Sequence, residues 1–169
     1  MTKPNDTVVL FSGGMDSVAA AHLYPHAQKV YVKIGAPYEA REVRSLYDRG
    51  YLASTRIVNC GDWLGAKADV MGRVPLRNLF FAVAAAAATG ASQVVLGATA
   101  GETSPDKSRR FARLASAAMT AAEARPVRLL LPFRGRTKRA LVREALRHTP
   151  GAERWLRAAP SCYAASLPD

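Results

Sequence analysis

Short apolar, β-branched runs take turns along this chain with longer stretches of helical spacing. The run over 6–12 ("DTVVLFS") predicts a buried strand, and 16–24 ("DSVAAAHLY") a helix that Pro25 ends. The same pair of patterns recurs at 29–35 and 38–50, the second closing on Gly50 as helix ends often do. A third strand is predicted at 54–61, then a strongly apolar helix at 76–90 ending at Gly90. Strands at 92–98 and 127–133 flank a long helix at 106–124, and 137–148 is a last helix that Thr137 is placed to cap. Strands alternating with helices predict an α/β fold: a doubly wound, parallel, five-stranded sheet with helices on both faces. No internal repeat, linker or low-complexity tail interrupts the pattern, so 1–169 is read as a single domain.

Composition changes this picture little. The chain has 169 residues, 49% of them hydrophobic, which suits one sizeable core. Its longest apolar stretch, "NLFFAVAAAAATGA", is the length of a buried helix and falls short of the roughly 18–20 residues a membrane span needs. The polar start, "MTKPNDT", lacks the apolar segment of a secretory signal, and a cytoplasmic location is expected. Two cysteines, Cys60 and Cys162, are too few for a disulfide framework or a closed structural zinc site. The three histidines have no ligand spacing with them and read as surface or packing residues, as do Trp63 and Trp155.

Charge adds one question. The net charge is +11, of which residues 1–100 carry +3 and 101–169 carry +8. A basic half suits nucleic acid or polyphosphate, or is only a solvated surface.

Candidate chemistry concentrates where the first strand ends. In doubly wound sheets, ligands sit beyond the carboxyl ends of the strands. There the sequence reads Ser12, Gly13, Gly14, Met15, Asp16, Ser17. Two glycines admit unusual backbone conformations and close approach of a ligand. Successive N–H groups at a helix start form an anion site, to which Ser12 and Ser17 would add hydroxyl donors. Asp16 beside an anion needs a cation such as Mg²⁺ between them, or else serves as the helix N-cap. The motif is neither G-x-x-x-x-G-K-[ST] nor G-x-G-x-x-G.

S-G-G-x-D-S after a first strand resembles the PP-loop of the ATP pyrophosphatase superfamily. With "VPLRN" (74–78), "VVLGA" (94–98), "SPDKSRRF" (104–111), "RTKRALV" (136–142) and "SCY" (161–163) in this order, the chain resembles the 7-cyano-7-deazaguanine (preQ0) synthase family over nearly its whole length. The resemblance implies a Rossmann-like sheet of the adenine nucleotide alpha hydrolase type, ATP and Mg²⁺ as cofactors, and a homodimer. It implies conversion of 7-carboxy-7-deazaguanine with ammonia to the nitrile, through an adenylated carboxylate and an amide. The product would feed tRNA or DNA modification, and nucleic acid is not itself required.

On that resemblance Ser12 to Ser17 would hold the ATP phosphates and Gly97 would admit the base or ribose. Asp16, Arg77, Asn78 and Lys138 would serve catalysis. Arg77 suits a phosphate or carboxylate bidentately, or is a solvated arginine. Asn78 offers donor and acceptor, or is a helix cap. Asp106 would accept the adjacent N–H donors of a guanine-like edge, or cap the fourth helix. Lys138 would reach a phosphate, or is an exposed helix lysine.

The chain departs from the family at two places. The family's zinc cluster near the C-terminus is reduced to Cys162, so no zinc is expected. The Gln-Arg-His part of a stretch after the second strand is missing, although Gly35 and Glu39 remain. These departures suit a compact, phage-type member, and leave open whether the reaction stops at the amide. Two other readings remain: a PP-loop tRNA-modifying enzyme, and a non-catalytic nucleotide- or nucleic-acid-binding module.

Overall fold

A computed structural model describes residues 6–70, 73–148 and 153. Its elements run in the expected order: β1 (Thr7–Leu10), α1 (Met15–Leu23), β2 (Gln28–Lys33), α2 (Glu39–Asp48), β3 (Thr55–Asn59), α3 (Arg77–Thr89), β4 (Gln93–Val95), α4 (Arg109–Glu123), β5 (Arg128–Leu130) and α5 (Lys138–His148). All five strands pair in parallel in the order β3-β2-β1-β4-β5. The chain winds outward from β1 to β3, then returns to lay β4 on the other side of β1. The point where strand order reverses therefore lies between β1 and β4, with Val8 opposite Val94 and Val9 opposite Val95.

The alternation of side chains along each strand divides the core into two layers. Val8, Leu10, Val30 and Val94 face α3 and α4, where Ala82, Ala85, Ala112 and Met119 meet them. Val9, Phe11, Tyr31 and Val95 face the opposite way, toward Val18 and Ala19 of α1, Leu46 of α2 and Leu141 of α5. Both faces are covered, so the strands read as continuous apolar runs rather than as alternating ones. The alanine run of α3 keeps that helix close to the sheet.

Several elements are shorter than the apolar runs that announce them. After Val95 the chain leaves the ladder: Leu96 N–H still reaches Leu130 O (3.0 Å), and Ala98 N–H then turns back to Leu96 O (2.9 Å). Helix α4 begins at Arg109 rather than at 106, because Pro105–Lys107 form a separate 3₁₀ turn and Ser108 is the N-cap, its hydroxyl accepting from Phe111 N–H at 3.0 Å. This corrects the expectation that Asp106 caps that helix. Thr137 does cap α5, accepting from Ala140 N–H at 3.2 Å. No helix among the described residues is long and apolar enough to cross a membrane.

Candidate active site

Between β1 and α1 the chain turns within four residues, Phe11 to Gly14. Gly13 has φ +75°, a conformation that L side chains rarely adopt, and a Cβ there would lie 2.8 Å from Leu46 Cδ2. Gly14 is the N-cap of α1, extended at ψ 160°, and no side chain caps the helix. The first N–H groups of α1 thus have no intrahelical partner and no side-chain cap, as an anion site requires. Ser12 Oγ lies 3.4 Å from Gly14 N. The helix starts at Met15, so Asp16 stands in its first turn and is not the N-cap that the sequence allowed. Ser17 was expected to offer its hydroxyl to a ligand. It is buried, and the hydroxyl donates to Gly14 O at 2.9 Å, bracing the turn from within.

Asp16 divides its two oxygens. Oδ2 lies 3.3 Å from Lys138 Nζ at the start of α5, and Oδ1 is buried with no hydrogen-bond partner. Burial pushes the Asp16 carboxyl above the usual range; Lys138 opposes that, and the negative charge of Glu102 adds to it. Glu102 shows the same division. Its Oε1 accepts from Lys107 Nζ at 2.8 Å, while Oε2 is buried without a partner. Thr99 Oγ1, in the same segment, is also buried and unpartnered. Arg134 fixes this segment by donating to Thr99 O (3.2 Å) and Glu102 O (2.9 Å). Unsatisfied buried oxygens of this kind cost about 1–3 kcal/mol each unless a ligand satisfies them.

The backbone crosses at the strand-order reversal. A Cβ on Gly97 would lie 3.0 Å from Asp16 O and 3.3 Å from Asp16 Cβ. Gly97, expected to admit a base or ribose, is needed first by the protein's own packing against the start of α1.

A cavity of about 400 Å³ opens beside this crossing, lined by Arg73, Val74, Arg77, Thr103, Ser104, Pro105, Asp106 and Lys107. Arg77 is the first residue of α3. The residue before it, Leu76, takes a left-handed conformation (φ 58°), so the helix starts from a strained turn. Arg77 Nη1 donates to Tyr38 Oη at 3.0 Å, and the guanidinium lies 5.9 Å from the centre of that ring. Arg77 also stands near Glu42, whose carboxyl burial raises, partly offset by a hydrogen bond from Tyr31 and by the Arg77 charge. Asn78 is buried and caps nothing. Its Nδ2 donates to Asp106 Oδ2 at 2.8 Å, and Ser104 Oγ donates to Asp106 Oδ1. Each carboxylate oxygen keeps lone-pair capacity for a further donor.

The structure thus brings Ser12 to Ser17, Gly97 and Lys138 together at one crossing, and Arg77, Asn78 and Asp106 together at the adjoining cavity. Lys107 joins the two: it lines the cavity and pairs with Glu102, and its charge reaches Asp16. Sequence reasoning passed over Glu102, Lys107, Tyr38 and Arg49. Lys107 stands inside a motif already singled out, and its place between Asp106 and the N-cap Ser108 was the available signal. Glu39 is buried, and its Oε1 accepts from Ile34 N–H, so it closes the turn after β2. Trp63 packs edge-on to Phe80, with ring centres 5.6 Å apart. Cys60 is a half-buried free thiol whose pKa burial raises; Cys162 and Trp155 lie outside the described residues. Among the described residues, no group of three or more His, Cys, Asp or Glu side chains could hold a metal by itself.

The profile of a protein family described as queuosine biosynthesis protein QueC matches residues 65–168. The chain belongs to the QueC family. Its family gives it a role in queuosine biosynthesis, the route that includes preQ0. The QueC match takes in the VPLRN turn, Gly97, the SPDK turn and the start of α5, and it begins after the glycine-rich turn of β1. No curated protein matches the chain.

Proposed function

We propose that this QueC-family chain converts 7-carboxy-7-deazaguanine and ammonia to 7-cyano-7-deazaguanine, consuming two ATP and releasing AMP and pyrophosphate. The observation that carries the reading is the pairing of sites: an uncapped helix start with Asp16, directly beside a cavity lined by Arg73, Arg77 and Lys107. A nucleotide triphosphate and a carboxylate substrate are both anions, and each would meet positive partners there.

A carboxylate resists ammonia because oxide is a poor leaving group. In the first half, a carboxylate oxygen of the substrate attacks the α-phosphorus of ATP and pyrophosphate leaves. Ammonia attacks the resulting acyl adenylate, AMP departs, and a proton is lost to give the amide. In the second half, the amide oxygen takes the adenylyl group from a second ATP. Pyrophosphate leaves from that ATP, and loss of AMP together with both amide N–H protons then leaves the nitrile. The N–H groups at the start of α1 would receive the leaving pyrophosphate, Lys138 would neutralise a phosphate oxygen, and Arg77 would hold the reacting carboxylate. Asp106, already anchored by Asn78 and Ser104, would accept from the deazaguanine edge.

Mg²⁺ fits the oxygens present. Asp16 Oδ1 and Glu102 Oε2 are the buried, unpartnered carboxylate oxygens at the crossing, and Mg²⁺ commonly takes one or two carboxylates with phosphate and water oxygens completing its shell. When bound it supplies charge neutralisation for the phosphates. The decisive experiment is mass spectrometry after incubating the protein with 7-carboxy-7-deazaguanine, ammonia, ATP and Mg²⁺. A nitrile with two AMP per product supports the reading. Amide alone would restrict it to the first half, and absence of both product and AMP would refute it.

A further inference from the structure

We propose that Arg49 is a positioning residue for the anion-binding turn, holding the Gly13–Gly14 peptide so that its N–H faces the phosphates; this rests on the ATP reading above. Arg49 is the C-cap of α2, 36 positions from Gly13 in sequence. Its Nη1 donates to Gly13 O at 2.8 Å, its Nε donates to Ser45 O at 3.1 Å, and its Nη2 donates to Ser45 Oγ. The guanidinium lies 5.8 Å from the Tyr51 ring centre. All three nitrogens are engaged, so the group is fixed in place.

The consequence follows from peptide geometry. A trans peptide is planar, and its C=O and N–H point in opposite directions. With Gly13 O held on the α2 side, Gly14 N–H must point the other way, where Ser12 Oγ lies 3.4 Å off. That distance is long for a hydrogen bond, so the N–H has capacity for a stronger acceptor. Nothing within Gly13–Gly14 enforces this orientation, because glycine takes either sign of φ readily. A flipped peptide would present a carbonyl oxygen to an anion. The bond from Arg49 therefore selects the binding-competent turn. The charge acts in the same sense, since an arginine stays protonated even where burial lowers its pKa, as it does here. The other side of Arg49 faces an open groove of about 520 Å³ along α2, shared with Arg41 and Arg44, through which a small solute has access.

The test compares the wild-type chain with Arg49→Ala and Arg49→Lys. Titration calorimetry reads ATP·Mg²⁺ and pyrophosphate binding, steady-state kinetics reads KM for ATP and for the deazaguanine, and thermal unfolding reads the fold. The expected result is ATP and pyrophosphate binding about tenfold weaker in Arg49→Ala, as for loss of a charge-assisted bond, with the deazaguanine KM little changed. Methylguanidinium should restore binding to Arg49→Ala, and Arg49→Lys should retain part of it. Unchanged ATP affinity in a folded Arg49→Ala would overturn the proposal. So would a loss spread equally over both substrates and not rescued by methylguanidinium. If Arg49→Ala does not fold, Arg49→Lys decides alone: ATP binding equal to wild type would overturn the proposal. Failure of the wild-type chain to bind ATP would overturn the proposed function with it, and is told apart by the absence of any ATP response in all three proteins.

Discussion

Asn78 Nδ2 donates to Asp106 Oδ2 at 2.8 Å, and this bond ties the first turn of α3 to the 3₁₀ turn that precedes α4. Asn78 is only 3% exposed, so its amide is dedicated to Asp106 rather than to solvent. Asn78→Asp would set two carboxylates face to face. One would have to retain a proton, and the folded-state pKa of the pair would rise. A raised folded pKa gives stability that is present at acid pH and lost as pH rises through it. The variant is therefore expected to lose about 1–3 kcal/mol at neutral pH, with a smaller deficit relative to wild type in mild acid. Thermal unfolding across that range checks this; a deficit independent of pH would show that the two side chains do not interact.

Asp16 carries a cost in the unligated fold. Burial raises its pKa above the ordinary aspartate value, so the charged carboxylate costs more to hold in the folded chain than in the unfolded one. Asp16→Asn removes that cost and should unfold no earlier than wild type, while losing the thermal stabilisation expected from Mg²⁺·ATP under the proposed function. In wild type the same stabilisation should fade as pH falls through the raised pKa, because the proton competes with the cation for Oδ1. Differential scanning fluorimetry with and without Mg²⁺·ATP reads both effects. Stabilisation of Asp16→Asn equal to wild type would remove Asp16 from the site.

The fold was legible because each strand is a separate β-branched run and each helix a separate stretch of 3.6-residue spacing. The glycine-rich turn and the VPLRN and SPDK turns marked the candidate site for the same reason: each is a short, local signal. What stayed hidden was pairing across sequence distance. That Asn78 spends its amide on Asp106, that Ser17 turns inward to Gly14, and that the charge of Glu102 reaches Asp16 depend on how β4 lies beside β1. Arg49 reads along the chain as one more arginine near the end of a charged helix. Only the packing of α2 on the sheet brings it to Gly13.

Gly97→Ala tests the crossing of the two backbones. The added Cβ would come within 3.0 Å of Asp16 O and 3.1 Å of Asp16 C, and these are main-chain atoms with little room to give. An overpacked contact of this kind is expected to cost about 1–3 kcal/mol. The displaced atoms belong to the first turn of α1, so ATP binding should weaken together with stability. Unfolding and ATP titration on the same sample check the coupling; reduced stability with wild-type ATP affinity would show that the segment after β4, not the helix, yields.

Lys138 separates the roles of charge and fold. Its side chain is 54% exposed, and ion pairs so open to water contribute at most about 1 kcal/mol to stability. Lys138→Met should therefore unfold close to wild type. Its effect on the site should be larger, for two reasons. A phosphate oxygen would lose a charged partner, a change on the order of 1.5–3 kcal/mol, or about tenfold or more in KM for ATP. Asp16 would also lose the neighbour that holds its pKa down, so the proton would compete more strongly at Oδ1. The acid limb of AMP formation should accordingly move to higher pH in Lys138→Met than in wild type. A pH–rate profile reads this directly. A raised KM with an unmoved acid limb would mean that Lys138 acts on ATP alone and does not tune Asp16.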